Sequence, residues 1–471
     1  MNNTSSQNEL DPTIIVIFGV SGDLAKRKIL PAIYHLLKDD LLPNNFKIIG
    51  TSRKKITLDK LISDLELCVL EQTKVCDKNV LIKFKSCLEL IQFDPDSPKD
   101  FIKLKQKFDL IEQQSKLCFN RLFYLSVPPN VVENIIKILG LSGLNKSCAH
   151  NNAKTRLLIE KPFGSDLKSA EKLIFNISKF FNEDQLFRID HYLAKETAQN
   201  IIIFRKDNPI FREIWSSEFI KSVKIKAYEK IGIEGRVNFY ENIGALRDIL
   251  QSHLLQLLTL ITFDIPNNLS DIPKLHKSKL KLLKKVKLKD TKNLSNNLIT
   301  GQYKSYRKEV NNSNSNTETF ISLKLKIDNQ EWDGVDFVLE TGKNLKYKTT
   351  KIEIIFKDPK ESLENKLTFR LQPNEGIYIK LNVKKPGLDN EIIKANMDFS
   401  YKNSFTSDPG HPDAYERVLI DSIKGDFSLF PTNDEVIESW QIIQPILTYW
   451  NNPKNKNLII YADQTKPKLI K

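Results

Sequence analysis

The chain has 471 residues, 40% of them apolar and 28% charged, with 72 Lys and Arg against 58 Asp and Glu for a net charge of +14. This length provides for two or three domains with sizeable cores. The composition excludes collagen, a mostly disordered chain and a helical membrane protein, since no run approaches ~18–20 uninterrupted apolar residues.

The opening, MNNTSSQNELDPT, carries neither the basic nor the apolar region of a secretory signal. TIIVIFG (Thr13–Gly19) reads as a buried strand, Leu24–Lys38 as a helix, FKIIG (Phe46–Gly50) as a second strand and Leu58–Gln72 as a second helix. Further strands are predicted over Leu88–Phe93, Arg121–Ser126 and Thr155–Glu160, with helical segments between them. Such alternation predicts a Rossmann-like, doubly wound parallel sheet. The five cysteines, Cys68, Cys76, Cys87, Cys118 and Cys148, are odd in number and form no CxxC pair, so reduced thiols in a cytoplasmic protein are expected.

After about Arg188 the pattern changes. Long helices are predicted over Ala194–Arg205 and Tyr240–Phe263. From Glu318 onward, period-2 runs such as FISLKLKID, KLTFRLQ and GIYIKLNV predict a large, mainly antiparallel sheet flanked by helices. Two more helices, Asp413–Ile423 and Glu435–Leu447, close the chain. The expected division is an α/β dinucleotide-binding domain over 1–189 and an α+β domain over 190–471.

The first strand runs into Gly19-Val20-Ser21-Gly22-Asp23-Leu24-Ala25-Lys26. Glycines at a strand-to-helix turn let backbone approach a diphosphate, and the helix start offers N–H donors. The spacing is GxxG, which a ligand-free turn also fits. The second strand ends in Gly50-Thr51-Ser52-Arg53 with no acidic residue beside it. An Asp or Glu there selects NAD, whereas an Arg can grip a 2′-phosphate, so NADP is favoured over NAD, although a site with Arg can accept both.

Arg188-Ile189-Asp190-His191-Tyr192-Leu193-Ala194-Lys195-Glu196 gathers ionisable and phenolic groups where the two patterns meet. His, Tyr and Lys together suit a phosphate, while a helix start capped by Asp190 with Lys195 in solvent accounts for the same residues. His253 lies beside the apolar face formed by Leu246, Ile249, Leu250, Leu254 and Leu257. A histidine so placed is either a satisfied core residue or a general base, for which Asp190 is an available orienter. No HExxH, Cys/His cluster or GxxxxGK[ST] occurs, so no metal is expected.

FGVSGDLAKRK, EKPFG (Glu160–Gly164), RIDHYLAKE, YEKIGIEGR, LRDILQSHLLQLL, WDGVDFVLETGKNL and DAYERVLIDSIKGDFSLF occur in that order. In these segments the chain resembles the glucose-6-phosphate 1-dehydrogenase family over nearly all its length. The resemblance implies oxidation of D-glucose 6-phosphate at C1 to 6-phosphogluconolactone with NADP, the first step of the oxidative pentose phosphate pathway. It assigns the general base to His253 and its orienter to Asp190. It places the sugar phosphate on His191, Tyr192 and Lys195, the sugar hydroxyls on Glu229 and Asp248, and further substrate contacts on Lys343 and Lys348. Lys161 matches the lysine between cofactor and sugar, and Pro162 the cis-proline between domains. Gly19 through Lys26 (with Val20, Ser21, Gly22, Asp23, Leu24 and Ala25), Arg53, and Asp94 with Pro95 match the coenzyme contacts. A homodimer or homotetramer assembled through the large sheet is implied, with no membrane and no specific nucleic-acid partner.

Two departures stand out. Ala194 replaces the family's usual Gly, which costs ~1 kcal/mol if that backbone needs a positive φ. Lys274–Asp290 is more basic than expected and reads as a surface helix with solvated lysines.

Overall fold

The computed structural model describes residues 10–73, 75–148, 153–358, 364–404 and 412–467. The chain divides into two units. The first takes the described residues within Met1–Gly164, Lys168–Ala194 and Pro412–Asn433; the second takes those within Ser165–Leu167, Lys195–His411 and Asp434–Lys471.

In the first unit, among the described residues, six strands form one parallel sheet: β1 (Thr13–Phe18), β2 (Phe46–Ser52), β3 (Leu88–Gln92), β4 (Asn120–Leu125), β5 (Thr155–Glu160) and β6 (Leu186–Ile189). Their spatial order is β3-β2-β1-β4-β5-β6, so the order reverses between β1 and β4. Helices cover both faces, which is why β1 is continuously apolar rather than alternating. Ile15 and Ile17 pack with Ile29, Ile33 and Leu61 on one face, and Ile14, Val16 and Phe18 with Phe101, Leu104 and Phe108 on the other. The distant helix Ala414–Lys424 belongs to this unit. Tyr415, Val418 and Leu419 join the first cluster, and Arg156 donates to the carbonyls of Ser422 (2.9 Å) and Ile423 (2.7 Å) at the helix C-terminus. Cys118 and Cys148 are joined as a disulfide with Cα atoms 5.8 Å apart, correcting the expectation of five reduced thiols; Cys68, Cys76 and Cys87 are free. A separation of 30 residues gives no local signal for such a pair.

The second unit is built on a ten-stranded sheet among the described residues: β7 (Ile220–Tyr228), β8 (Val286–Leu288), β9 (Leu298–Tyr303), β10 (Phe320–Ile327), β11 (Asp336–Gly342), β12 (Thr349–Phe356), β13 (Lys366–Gln372), β14 (Gly376–Lys384), β15 (Ile392–Ser400) and β16 (Leu458–Tyr461). The order is β15-β14-β13-β12-β7-β11-β10-β9-β16, with β8 on β10. β7 pairs with β11, and β9 with β16, in parallel; the other pairs are antiparallel.

The helix predicted over Tyr240–Phe263 is not continuous. Val237–Ala245 ends in a break at Gly244 (φ 69°, ψ 177°), followed by a π-helical stretch Leu246–Leu254 and an α-helix Leu255–Thr262. A Cβ at Gly244 would overlap the Glu318 carboxylate, so this left-handed position accepts only glycine. The basic segment forms the helix Ile272–Leu283 and β8, but not all its lysines are solvated. The Lys279 side chain is 2% exposed, with Nζ 3.0 Å from Glu435, which His276 also meets at 2.7 Å.

Candidate active site

In the first unit a cavity of about 780 Å³ opens at the C-terminal ends of β1, β2 and β4, lined by Gly19, Ser21, Gly22, Ser52, Arg53 and Ser126 among others. This is the reversal point of the sheet, where α/β folds leave a crevice. The turn after β1 is folded back on β2: the N–H groups of Gly19 (3.1 Å) and Val20 (3.0 Å) both donate to the Thr51 carbonyl. Ser21 Oγ lies 3.1 Å from Ser52 Oγ. Gly19 has φ +81°, and a Cβ there would overlap the Ser126 carbonyl, so the turn lies directly against the end of β4. Ser126 Oγ is buried without a hydrogen-bond partner among the described residues. A close-approach backbone turn, an orphaned hydroxyl and an exposed guanidinium at the rim fit a dinucleotide phosphate ligand.

The other predicted coenzyme residues differ in what they offer. Val20 and Ala25 point into the core and Leu24 packs against it, leaving their backbone. Asp23 pairs with Arg27 at 2.7 Å, and Lys26 with Asp64 at 2.9 Å, where Lys60 and Lys26 hold the Asp64 carboxyl below its ordinary range. Pro95 lines the cavity; Asp94 is exposed and accepts from the Asp96 N–H at 3.0 Å. Thr51, Lys54, Ser126 and Asn130 also line it, and sequence reading missed them. The signal available was position: Thr51 and Lys54 flank the end of β2, Ser126 follows the end of β4, and Asn130 lies in the first turn of the next helix.

The register Glu160↔Ile189 delivers Lys161 and Asp190 from adjacent strand ends. The Lys161–Pro162 peptide is cis. Asp190 is 4% exposed; its Oδ1 accepts from the Tyr192 N–H at 3.0 Å and its carbonyl from Leu193. The carboxylate thus holds the tight turn that presents His191 and Tyr192, rather than the following helix Glu196–Asp207. The His191 ring meets Tyr192 (centroids 5.0 Å apart) and stacks at 14° on Tyr415. Tyr124 donates to Glu160 Oε1 at 2.6 Å. Burial pushes the Glu160 carboxyl up to about 7, opposed by Tyr124 and Lys161 and reinforced by Asp190. Ala194 does not adopt a positive φ, so it replaces glycine there without that penalty.

In the second unit, β7 and β11 end together at Tyr228↔Gly342, which sets Glu229 beside Lys343. The Glu229 N–H donates to the Gly342 carbonyl and its own carbonyl accepts from Leu345, both at 2.9 Å. Lys343 is 3% exposed; its Nζ ion-pairs with Glu229, lies 3.9 Å from Asp248 Oδ2 and sits 5.1 Å above the Tyr240 ring. Asp248 and His253 share the π-helical stretch, and His253 is fully buried. An α-helix would set positions five apart ~140° from each other, whereas i→i+5 bonding stacks them on one face. Lys195 donates to Gln372 Oε1 at 2.6 Å, so it is not simply solvated, and Gln372 is a partner that sequence reading missed. Lys348 is exposed just before β12 and makes no ion pair among the described residues.

Among the described residues no group of three or more His, Cys, Asp or Glu could hold a metal, and no helix is long and apolar enough to cross a membrane.

Two family models match the chain: "Glucose-6-phosphate dehydrogenase, NAD binding domain" over residues 16–200, and "Glucose-6-phosphate dehydrogenase, C-terminal domain" over 202–468. A glucose-6-phosphate 1-dehydrogenase of Buchnera aphidicola is 39% identical over 461 residues, covering 92% of this chain and 91% of its own. Glucose-6-phosphate 1-dehydrogenase 5, cytoplasmic, of Arabidopsis thaliana is 36% identical over 447 residues, covering 92% and 85%. A solved glucose-6-phosphate dehydrogenase in complex with its substrate glucose-6-phosphate superposes with a TM-score of 0.90 at 33% identity, covering 98% of this chain and 96% of the other.

Proposed function

Since the chain belongs to the glucose-6-phosphate dehydrogenase family, an oxidoreductase that oxidises glucose 6-phosphate with a nicotinamide dinucleotide, we propose that NADP is its acceptor and that His253 is its general base. When bound, the nicotinamide supplies the hydride acceptor. Residues 1–189 hold the dinucleotide. Gly19 through Lys26 receive the diphosphate, Arg53 the 2′-phosphate, Asp94 and Pro95 the adenosine, and Lys161 stands between cofactor and sugar. The exposed Arg53 at the rim of the cavity, with no carboxylate among the described residues that line it, supports NADP over NAD.

Residues 190–471 bind the sugar and carry the subunit contacts of a homodimer or homotetramer. His191, Tyr192 and Lys195 hold the phosphate; Glu229, Asp248 and Lys343 hold sugar hydroxyls, with Lys348 as a second basic contact. Gripping the phosphate far from C1 orients that carbon, which removes much of the entropic barrier. His253 takes the proton of the C1 hydroxyl as the hydride leaves, and Asp190 fixes the imidazole tautomer and stabilises the imidazolium. The product is 6-phosphogluconolactone.

The observation that carries this reading is the cluster of Glu229, Lys343 and Asp248 at the head of the helix bearing His253. A buried ammonium between two carboxylates offers donors and acceptors that a polyol can bridge. The test is absorbance of the reduced nicotinamide with glucose 6-phosphate and NADP or NAD in turn. Reduction is expected with the sugar phosphate and faster with NADP; no reduction with either dinucleotide overturns the reading. Cytoplasmic residence is the address we propose, in keeping with the Arabidopsis relative's name.

A further inference from the structure

We infer that Glu318 is a positioning residue that holds the head of the helix carrying Asp248 and His253. Glu318 is 1% exposed and lies just before β10, some seventy residues from that helix along the chain. Its Oε1 accepts from the Leu246 N–H at 3.1 Å and its carbonyl from the Ala245 N–H at 2.9 Å. These are first-turn donors with no partner inside the helix, and a carboxylate there also meets the positive end of the helix dipole. The second carboxylate oxygen is ion-paired to Lys456, whose Nζ lies 4.3 Å above the Trp450 ring. Gly244, just before the helix, leaves room for the carboxylate where any other residue would put a Cβ.

The next residue extends the device. The Thr319 carbonyl accepts from the Lys343 N–H at 2.8 Å, and Tyr461 OH bridges Thr319 Oγ1 (2.9 Å) to the Lys343 carbonyl (2.7 Å). One dipeptide therefore fixes both the backbone of Lys343 and the start of the helix whose Asp248 faces it. Its effect on turnover acts through His253 and so rests on the reading above; its effect on sugar affinity acts through Asp248 and Lys343.

The test is steady-state kinetics of Glu318→Ala and Glu318→Gln in the full chain, with melting curves. Glu318→Ala is expected to raise KM for glucose 6-phosphate about tenfold and lower kcat, with KM for NADP unchanged. Mere loss of folded protein would lower kcat and leave both KM values alone. Glu318→Gln keeps an acceptor for the Leu246 N–H and is expected to stay within about threefold of the parent in sugar KM. If Glu318→Ala does not fold, Lys456→Met takes its place, since it releases Glu318 from its anchor and raises sugar KM alone by about threefold. A folded Glu318→Ala variant, or Lys456→Met where it takes its place, with sugar KM within twofold of the parent, or with an equal rise in both KM values, overturns the assignment. A parallel His253→Asn variant separates the two readings: if it keeps its turnover, the base assignment fails while the sugar KM effect of Glu318 still stands.

Discussion

Lys343 Nζ lies 3.9 Å from Asp248 Oδ2, and the same ammonium is ion-paired to Glu229. Three charges, from the residue after β11, the helix after Gly244 and the residue after β7, therefore meet with the cation in the middle. Removing it leaves two carboxylates facing each other in a poorly solvated place, and a group in that position costs more to leave unpaired than the pair itself contributes. Lys343→Met is expected to raise KM for glucose 6-phosphate more than tenfold while KM for NADP changes little. Steady-state kinetics with each substrate varied in turn checks this; an unchanged sugar KM removes Lys343 from the sugar site.

His253→Asn keeps a polar side chain of similar width but cannot take a proton near neutral pH. Turnover is expected to fall by roughly 10²–10⁴ with sugar KM within a few-fold, because a positioned base acts in the transition state and not on the ground-state complex. Near-parental kcat would return this histidine to the core.

Arg53→Ala tests dinucleotide choice. The guanidinium is exposed at the rim of the cavity, and its proposed partner, the 2′-phosphate, exists only on NADP. KM for NADP is expected to rise about tenfold or more, and KM for NAD to move far less. Equal losses for both dinucleotides would contradict the 2′-phosphate role.

Glu160 makes stability depend on pH. Burial pushes its carboxyl up to about 7 from an ordinary 4.5. Between those values the folded chain holds a proton that the unfolded chain has released, so this group's contribution to stability is greatest below about pH 4.5 and is lost as pH rises to about 7. Glu160→Gln is neutral throughout and should remove that slope. Relative to the parent it is therefore expected to gain stability between about pH 5 and about pH 8, as read from denaturant midpoints at each. A stability difference that stays constant over this interval would show that Glu160 does not titrate there.

Much of the molecule is legible locally. The apolar run Thr13–Phe18 and the strand–helix alternation after it lead to the parallel sheet, because a strand buried on both faces needs no polar alternation. The glycine turn after β1 and the basic end of β2 come together in one cavity, since parallel neighbours necessarily end on the same side of the sheet. The short strands β6, β8 and β16 are not predicted by the sequence pattern. A strand of three or four residues is held by its partner rather than by its own pattern, and β16 pairs with residues far earlier in the chain.

The arrangement around His253 belongs to the second kind. Residue types and their order along the chain carry the family resemblance, which nominates a base, an orienter, a phosphate grip and a cofactor turn, while the residues by themselves also fit a core histidine and a capped helix start. They do not say that the helix breaks at Gly244, that its next two turns are π-helical, or that Glu318 and Lys343 meet its head. Those features depend on contacts between segments tens of residues apart, whose free energy outweighs local preference, and only the folded packing brings them within hydrogen-bond reach.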